Sequence, residues 1–342
     1  MKKIQLFLVT LFATLSVVFA QDNNSPYFSK NFAGQAIKDV VVETSGGYIK
    51  IYGGNAPESK VEMFVSANNW NGKITKEEIA ERLKTYLVRI EREGDKLLVS
   101  AKPLNGNTWG NGKNSLSISF VVSVPEATSS VIKTSGGSLV AKNLNGNQTL
   151  STSGGSITLD DLEGDVRART SGGSLAISNC RKRMDAATSG GSIRAENTSG
   201  AINLTTSGGS LDLSKLSGSI SARTSGGSVE ANDLSGESRL ATSGGSMSLR
   251  RMSGGLEAST SGGTINAEIT ELGKFLTLST SSGSIDVKMP TDKGMDLDLR
   301  GSSVKMEYKN FDGQTERNSV RGRMNGGGIP VRMTASSQIR IN

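Results

Sequence analysis

Hydrophobic and polar positions repeat every 18 residues through the middle of this 342-residue chain. Each repeat opens with a Thr-Ser-Gly-Gly motif, and these motifs begin at Thr134, Thr152, Thr170, Thr188, Thr206, Thr224, Thr242 and Thr260. A variant begins at Thr280 after a two-residue insertion, and an early copy begins at Thr44. Self-similarity at so short a period predicts a solenoid in which each repeat forms one coil.

Each repeat, counted from its threonine, has apolar residues at the sixth and eighth positions and mostly apolar residues at the fifteenth and seventeenth. This alternation is the two-residue period of a β-strand, and glycines at the fourth and usually the thirteenth position separate the strands. We therefore expect two short strands and two tight corners in each coil.

The eighth and seventeenth positions compensate each other in size. Leu159 accompanies Ala168, whereas Ala195 accompanies Leu204, and one member is alanine in every repeat from Thr134 to Thr260. Close-packed interiors penalise both voids and overfilling, so the two side chains are expected to meet across the coil.

Outward positions 18 residues apart often carry opposite charges, which predicts that successive coils stack in direct register. The pairs are Lys142 with Asp160, Glu163 with Arg181, Asp165 with Arg183, Arg167 with Asp185, Arg194 with Asp212, Asp233 with Arg251, and Arg239 with Glu257.

Less regular segments flank this array. We assign residues 21–36 to an N-terminal linker, 37–54 to a first coil, 116–299 to the regular solenoid and 300–342 to irregular C-terminal coils that form a cap. Residues 55–115 form a small α+β insertion near the N-terminal end, which would cover an open strand edge.

Two local patterns refine these segments. Thr75 and Glu78 form a capping box that predicts a helix over residues 76–87. A last corner is expected to begin at Thr334, which places Ile339 and Ile341 at the sixth and eighth positions.

The Thr-Ser-Gly-Gly-Ser turn, followed by an aliphatic-x-aliphatic strand and a leucine-x-glycine, resembles the repeat of the "putative adhesin" family of exported bacterial β-solenoid domains. One full copy runs from Thr152 to Gly164, and the resemblance covers about residues 37–342. It implies an all-β, right-handed, single-stranded parallel β-helix, an exported location, and a surface or binding role. It supplies no catalytic residues.

Residues 1–20 have the pattern of a secretory signal peptide. Lys2 and Lys3 precede an apolar run from Ile4 to Val18, and Ala20 is a small residue at the expected cleavage site. We predict export to the periplasm or cell surface of a bacterium. No later apolar run approaches the ~20 residues of a membrane span, so no transmembrane segment is expected in the mature chain.

The basic excess lies at the C-terminal end. Removing Lys2 and Lys3 from the 39 basic residues leaves 37 against 32 acidic ones, and residues 300–342 hold eight basic and three acidic residues. For an exported protein, an anionic polysaccharide or lipid head group is a better partner than nucleic acid. Arg317, Arg321 and Arg323 are candidate ligand-binding residues, and a solvated basic cap is the alternative.

Catalytic chemistry is poorly represented. The chain has no histidine, which removes Ser-His-Asp and Cys-His mechanisms and histidine-based zinc sites. Its single cysteine, Cys180, stands where other coils have leucine, so burial is expected. Asp160, Asp161, Glu163 and Asp165 could provide paired carboxylates, but a salt-bridged corner also explains them. We predict no enzyme activity, no metal and no cofactor.

Both tryptophans lie in loops of the insertion. Trp70 and Trp109 are flanked by asparagine and glycine, a composition suited to stacking on sugar rings. Packing of the two rings over the cap is the alternative. The sequence thus favours a non-enzymatic exported β-solenoid that presents an extended surface, as an adhesin or an envelope protein that binds glycan or protein. A periplasmic scaffold or regulatory partner is the second candidate, and a β-helical polysaccharide-active enzyme is the third.

Overall fold

The computed structural model describes residues 25–32, 37–55, 59–68, 74–104 and 115–342. These residues form 26 β-strands and one α-helix, so the prediction of an almost entirely β fold is confirmed. No helix among the described residues is both long and apolar enough to cross a membrane. The predicted signal peptide, residues 1–20, lies outside the described residues.

The N-terminal part contains seven strands and the helix. They are β1 (Phe28–Phe32), β2 (Asp39–Thr44), β3 (Ile49–Gly54), β4 (Ser59–Ala67), α1 (Lys76–Leu83), β5 (Tyr86–Glu93), β6 (Lys96–Pro103) and β7 (Leu116–Pro125). The Thr75 hydroxyl caps α1 by accepting a hydrogen bond from the Glu78 amide at 3.2 Å. Two details differ from the sequence prediction: β1 lies inside the predicted linker, and α1 ends at Leu83 because Tyr86 already belongs to β5.

The regular coils supply the next thirteen strands. They are β8 (Ser129–Thr134), β9 (Leu139–Leu144), β10 (Gln148–Ser151), β11 (Ile157–Thr170), β12 (Leu175–Ser178), β13 (Arg181–Thr188), β14 (Ile193–Thr206), β15 (Leu211–Thr224), β16 (Val229–Asn232), β17 (Ser235–Thr242), β18 (Met247–Thr260), β19 (Ile265–Thr280) and β20 (Ile285–Lys288). Their parallel pairs join residues 18 apart, as Ile157 pairs with Leu175 and Leu175 with Ile193, until the insertion in β19, after which the spacing is 20, as in Ile265 with Ile285.

In several coils the second corner is smoother than the sequence pattern suggests. Strands β11, β14, β15 and β18 each continue through it for 14 residues. The tenth residue of each coil from Thr134 to Thr242 makes the bend, with φ between 49° and 57°, as in Asn143 and Asn179. Asparagine and aspartate adopt this left-handed conformation more readily than most residues do. The bend therefore needs no break in the strand pairing on either side.

Six strands complete the chain. They are β21 (Met295–Arg300), β22 (Ser303–Lys305), β23 (Phe311–Thr315), β24 (Ser319–Met324), β25 (Ile329–Ala335) and β26 (Gln338–Ile341). Strands β21, β24 and β23 pair antiparallel. The last corner differs by one residue from the prediction, because Ala335 rather than Thr334 pairs with Thr280. Ile339 nevertheless pairs with Ile285, since this corner is one residue shorter.

Both ends of the stack are interleaved. Strand β2 lies between β6 and β8, and β3 lies between β7 and β9. The coil of residues 37–54 is therefore the second in space, although it is the first in sequence. At the other end, β25 lies between β19 and β21, and β26 lies between β20 and β22. At the N-terminal end, the outermost coil is formed by β6 and β7, which follow β2 and β3 in sequence. At the C-terminal end, it is formed by β21 and β22, which precede β25 and β26 in sequence.

Antiparallel strands cover the N-terminal edges. Strand β4 pairs with β7 and β1 pairs with β4, while β5 pairs with β6. The Lys30 Nζ of β1 donates a hydrogen bond of 3.1 Å to the Ile90 carbonyl of β5, which links the two outermost strands. Unpaired edges are sites of unwanted association, and a lysine on an edge opposes it.

The core is one continuous column of apolar side chains from Phe32 to Ile341. Leu159 and Ala168, the compensating pair, are both completely buried. The threonine that opens each coil is also buried, which makes the corner part of the core.

Candidate functional site

The corner threonines hold neighbouring coils together. The Thr152 hydroxyl donates to the Gly137 carbonyl of the preceding coil at 2.9 Å and accepts from the Gly155 amide of its own coil at 3.3 Å. The same two contacts recur at each coil from Thr134 to Thr260. These buried hydroxyls satisfy backbone groups that leave the strand pairing, so they are structural rather than nucleophilic.

The two corner glycines have different roles. A Cβ atom on Gly155 would lie 1.9 Å from the Gly137 carbonyl oxygen, whereas one on Gly154 would have its nearest neighbour at 3.6 Å. Neither glycine has a positive φ. Close approach of successive backbones, not backbone conformation, therefore requires the second glycine.

The candidate catalytic carboxylates take part in contacts between coils. Asp160 accepts hydrogen bonds from the Asn179 amide at 2.9 Å and the Ser178 hydroxyl at 2.8 Å, and lies 3.2 Å from the Lys142 ammonium. These donors, Asn179 first, lower the pKa of the Asp160 carboxyl. Glu163 lies 3.0 Å from Lys182, which lowers the Glu163 pKa through a hydrogen bond and its charge. Both groups are thus stabilised as carboxylates, which does not suit a general acid.

Four of the seven predicted charge pairs form, two have a different partner, and Asp165 with Arg183 is not an ion pair. Glu163 pairs with Lys182 instead of Arg181, and Asp185 pairs with Arg169 instead of Arg167. The pairs that form as predicted include Arg194 with Asp212 at 2.8 Å, Asp233 with Arg251 at 2.6 Å, and Arg239 with Glu257 at 3.3 Å.

Cys180 is a packing residue, as its position in the repeat predicts. It is buried, and its thiol lies 3.2 Å from the Ser178 carbonyl oxygen, to which it donates. Burial raises the pKa of the Cys180 thiol to about 11, so the nucleophilic thiolate is scarce near neutral pH. Among the described residues, no group of three or more histidine, cysteine, aspartate or glutamate side chains is arranged to hold a metal ion.

Trp70 and Trp109 lie outside the described residues. The described residues that flank their loops are bonded to each other: the Asn68 amide donates to the Ser115 carbonyl at 3.0 Å, and the Asn68 side chain donates to the Ser115 hydroxyl at 3.3 Å. The described residue at one end of each loop therefore lies beside the paired ends of β4 and β7.

The three C-terminal arginines are exposed. Arg321 and Arg323 belong to β24, and Arg317 precedes that strand. The Arg321 guanidinium is 3.7 Å from Asp298, and that of Arg323 is 3.8 Å from Asp296, so both face carboxylates of β21. This surface is therefore mixed in charge and less basic than the sequence of residues 300–342 suggests.

The sequence analysis missed one aromatic surface. Tyr48 and Phe64 have ring centroids 6.3 Å apart, and the Lys50 ammonium lies 4.9 Å from the centre of the Tyr48 ring. Tyr48, Lys50 and Tyr52 alternate along the chain with the buried Ile49 and Ile51, so the two-residue period places them outward. That alternation was the available signal in the sequence. This surface shares strands β4 and β7 with the described ends of the tryptophan loops.

Comparison with known proteins gives a partial assignment. The model of the family described as Toastrack DUF4097 matches residues 232–338, which run from the last regular coils to the interleaved C-terminal end. A crystal structure at 1.95 Å, titled as a "putative cell adhesion protein" from Clostridium sporogenes ATCC 15579, is 11% identical to this chain. The match covers 92% of this chain and 98% of that one, with a TM-score of 0.18, which is too low to carry an argument. No curated protein matches this chain.

Proposed function

We propose that this protein is a non-enzymatic, exported, right-handed β-solenoid that presents an extended surface for binding, as an adhesin or an envelope protein. The observation that supports the proposal is that the candidate reactive groups are already engaged in contacts within the protein. The corner hydroxyls, the Asp160 and Glu163 carboxylates and the Cys180 thiol all serve contacts within or between coils. The outward faces of the coils remain available to a partner.

We place the first binding region at the tryptophan loops of the N-terminal insertion. The hydrogen bond between Asn68 and Ser115 supports this placement, because Asn68 precedes one tryptophan loop in sequence and Ser115 follows the other. The neighbouring rings of Tyr48 and Phe64 would extend an aromatic surface there. Aromatic faces stack on sugar rings, so a cell-surface or envelope polysaccharide is the partner that suits this region.

The experiment is a glycan-array screen of the chain from residue 21, followed by affinity measurements with each glycan that binds. Trp70→Ala with Trp109→Ala is expected to weaken binding about thirtyfold, since each of the two lost stacking contacts is worth about 1 kcal/mol. Tyr308→Ala is the control, because Tyr308 is an exposed aromatic residue at the opposite end of the stack. Circular dichroism checks that each variant is folded.

Two results would contradict the proposal in different ways. Unchanged affinity in the folded tryptophan variant would remove the loops from the site and leave Arg317, Arg321 and Arg323 as the next residues to replace. Absence of glycan binding by the unaltered protein would favour the periplasmic scaffold or regulatory role. Labelling of intact cells with a membrane-impermeant reagent would separate a surface location from a periplasmic one.

A further inference from the structure

Three exposed arginines on one outward face have no ion-pair partner within the described part of the chain. Arg181 and Arg183 lie on β13, and Arg167 lies on the adjacent β11. Two acidic groups beside them are held by other cations, Glu163 by Lys182 at 3.0 Å and Asp185 by Arg169, whereas Asp165, in register with Arg183, forms no ion pair with a described residue. Elsewhere on the coils, charges in register mostly pair directly, so this group of free guanidiniums is unusual.

The strand geometry brings these arginines to one place. Arg181 and Arg183 flank Lys182, whose left-handed φ of 80° interrupts the strand alternation so that all three side chains are exposed, and their Cα atoms are at most about 7 Å apart. Arg167 pairs with Asp185, two residues beyond Arg183, on a strand about 4.8 Å away. Long arginine side chains span these distances, so the three guanidiniums can reach one bound anionic group.

A strip of small residues lies beside the arginines. Strands β14 and β15 present Ser199, Ala201, Ser217 and Ser219 outward in register with Arg181 and Arg183. Beyond them, Glu237 and Arg239 of β17 project from the next strand. We call this strip, with Arg181 and Arg183 along one side and Glu237 and Arg239 along the other, the serine lane. It is three strand spacings, about 14 Å, wide across the strands, and its floor residues extend about 7 Å along them.

We propose that the serine lane binds an extended acidic polysaccharide. The carboxylate or sulfate groups of the polymer pair with Arg181 and Arg183, and its hydroxyls bond to the serines of the floor. Arginine suits this role because its planar guanidinium forms paired hydrogen bonds with such anions. The inference rests on the proposed function, since it assumes a glycan-binding surface, and it adds the ligand class and a second binding region.

Other partners fit the lane less well. Strands β13, β14 and β15 are each paired on both sides, so a peptide finds no open edge to join. A lipid surface would need apolar side chains beside the basic ones. The large exposed apolar residues of the described chain lie near its two ends, at Tyr27, Phe28, Leu87, Leu104 and Tyr308. The lane itself offers charge and hydroxyl groups.

The test is isothermal titration calorimetry with polygalacturonate, dextran sulfate, neutral dextran and poly-glutamate. The test variant combines Arg181→Ser with Arg183→Ala, the residues that the next coil carries in the paired positions, Ser199 and Ala201. The control combines Arg250→Ser with Arg332→Ser, which removes the same charge from two exposed arginines outside the lane. We expect the two acidic polysaccharides to bind the unaltered protein, and the test variant to bind about tenfold more weakly or worse.

The outcomes separate this inference from the proposed function. Equal affinity of the test variant and the unaltered protein, or an equal loss of affinity in the control, would show that the serine lane is not the binding site. Neither result would contradict glycan binding elsewhere on the protein. Poly-glutamate or neutral dextran binding as tightly as polygalacturonate overturns the ligand class. If the glycan array finds ligands but neither acidic polysaccharide binds, the lane alone is refuted. If no glycan binds in either experiment, both proposals fall.

Discussion

At the scale of single residues, the repeated Thr-Ser-Gly-Gly motif allows the backbones of two successive coils to come into contact. The carbonyl oxygen of Gly137 accepts a hydrogen bond from the Thr152 hydroxyl, and it also occupies the space that a Cβ atom on Gly155 would need. One residue thus needs a hydroxyl and another needs no side chain at all. The identity of both residues in nearly every coil follows from this contact, without any role in ligand binding.

The first prediction compares adjacent glycines. Gly155→Ala is expected to lower the free energy of unfolding by about 3 kcal/mol, because the new Cβ must displace the backbone of the preceding coil. Gly154→Ala is the matched control and should change it by less than about 1 kcal/mol, since its Cβ would make only ordinary contacts. Urea unfolding followed by circular dichroism measures both. Equal effects would mean that the coils do not approach at the second glycine.

At the scale of elements, the sequence was sufficient to predict the stacking but not every contact. Apolar periodicity and size compensation predicted which side chains enter the core, including Cys180. The partner of Glu163 could not be predicted, because Lys182 occupies a position where most coils have glycine and adopts a φ of 80°. This left-handed conformation gives Lys182 the ion pair that the register alone assigns to Arg181.

The tail shows a second limit of sequence reasoning. Its last corner is one residue shorter than the others, so Thr334 matches the motif by identity while Ala335 holds the structural position. A shortened turn changes the register after it without changing the alternation of apolar residues. The candidate tryptophan site could be read from composition alone, whereas the outward surface of Tyr48 and Phe64 needed the pairing of distant strands.

A second prediction concerns the packing of side chains inside one coil. Ala168→Leu is expected to destabilise the protein by about 1–3 kcal/mol through overpacking. Adding Leu159→Ala should recover much of that loss, because the summed volume of the two buried side chains is restored. Thermal unfolding of the single and double variants measures the recovery. A double variant at least as unstable as Ala168→Leu alone would show that the two side chains do not share one space.

At the scale of the whole molecule, interleaving makes the two ends unlike those of a simple stack. In an ordinary repeat array, removing the last unit exposes the one before it and little else changes. Here, β25 and β26 lie between the regular coils and the coil of β21 and β22. The outermost elements therefore depend on a segment that follows them in sequence.

A third prediction compares the effects of two deletions on folding. Removing residues 329–342 should expose the edges of β19 and β20 and detach β21 to β24, so the variant is expected to aggregate or to be cleaved rapidly by protease in residues 290–325. Removing residues 206–223, one full repeat, takes away more residues but keeps the register, so this variant should remain soluble and folded. Size-exclusion chromatography and limited proteolysis compare them. A well-behaved monomer from the first deletion would contradict the structural role assigned to β25 and β26.

The interleaved ends also set an order of events as a nascent chain leaves the ribosome or a translocation channel. Residues 37–54 emerge early but gain both neighbours only after residues 96–144 have followed. Residues 295–305 gain their parallel partners only when residues 329–341 have been synthesised and have inserted between them and the regular coils. Assembly therefore ends with an insertion instead of an addition. Until that step, the open edges of β19 and β20 are the part of the chain most exposed to mispairing with another molecule, and a chaperone acting there would have the largest effect on yield.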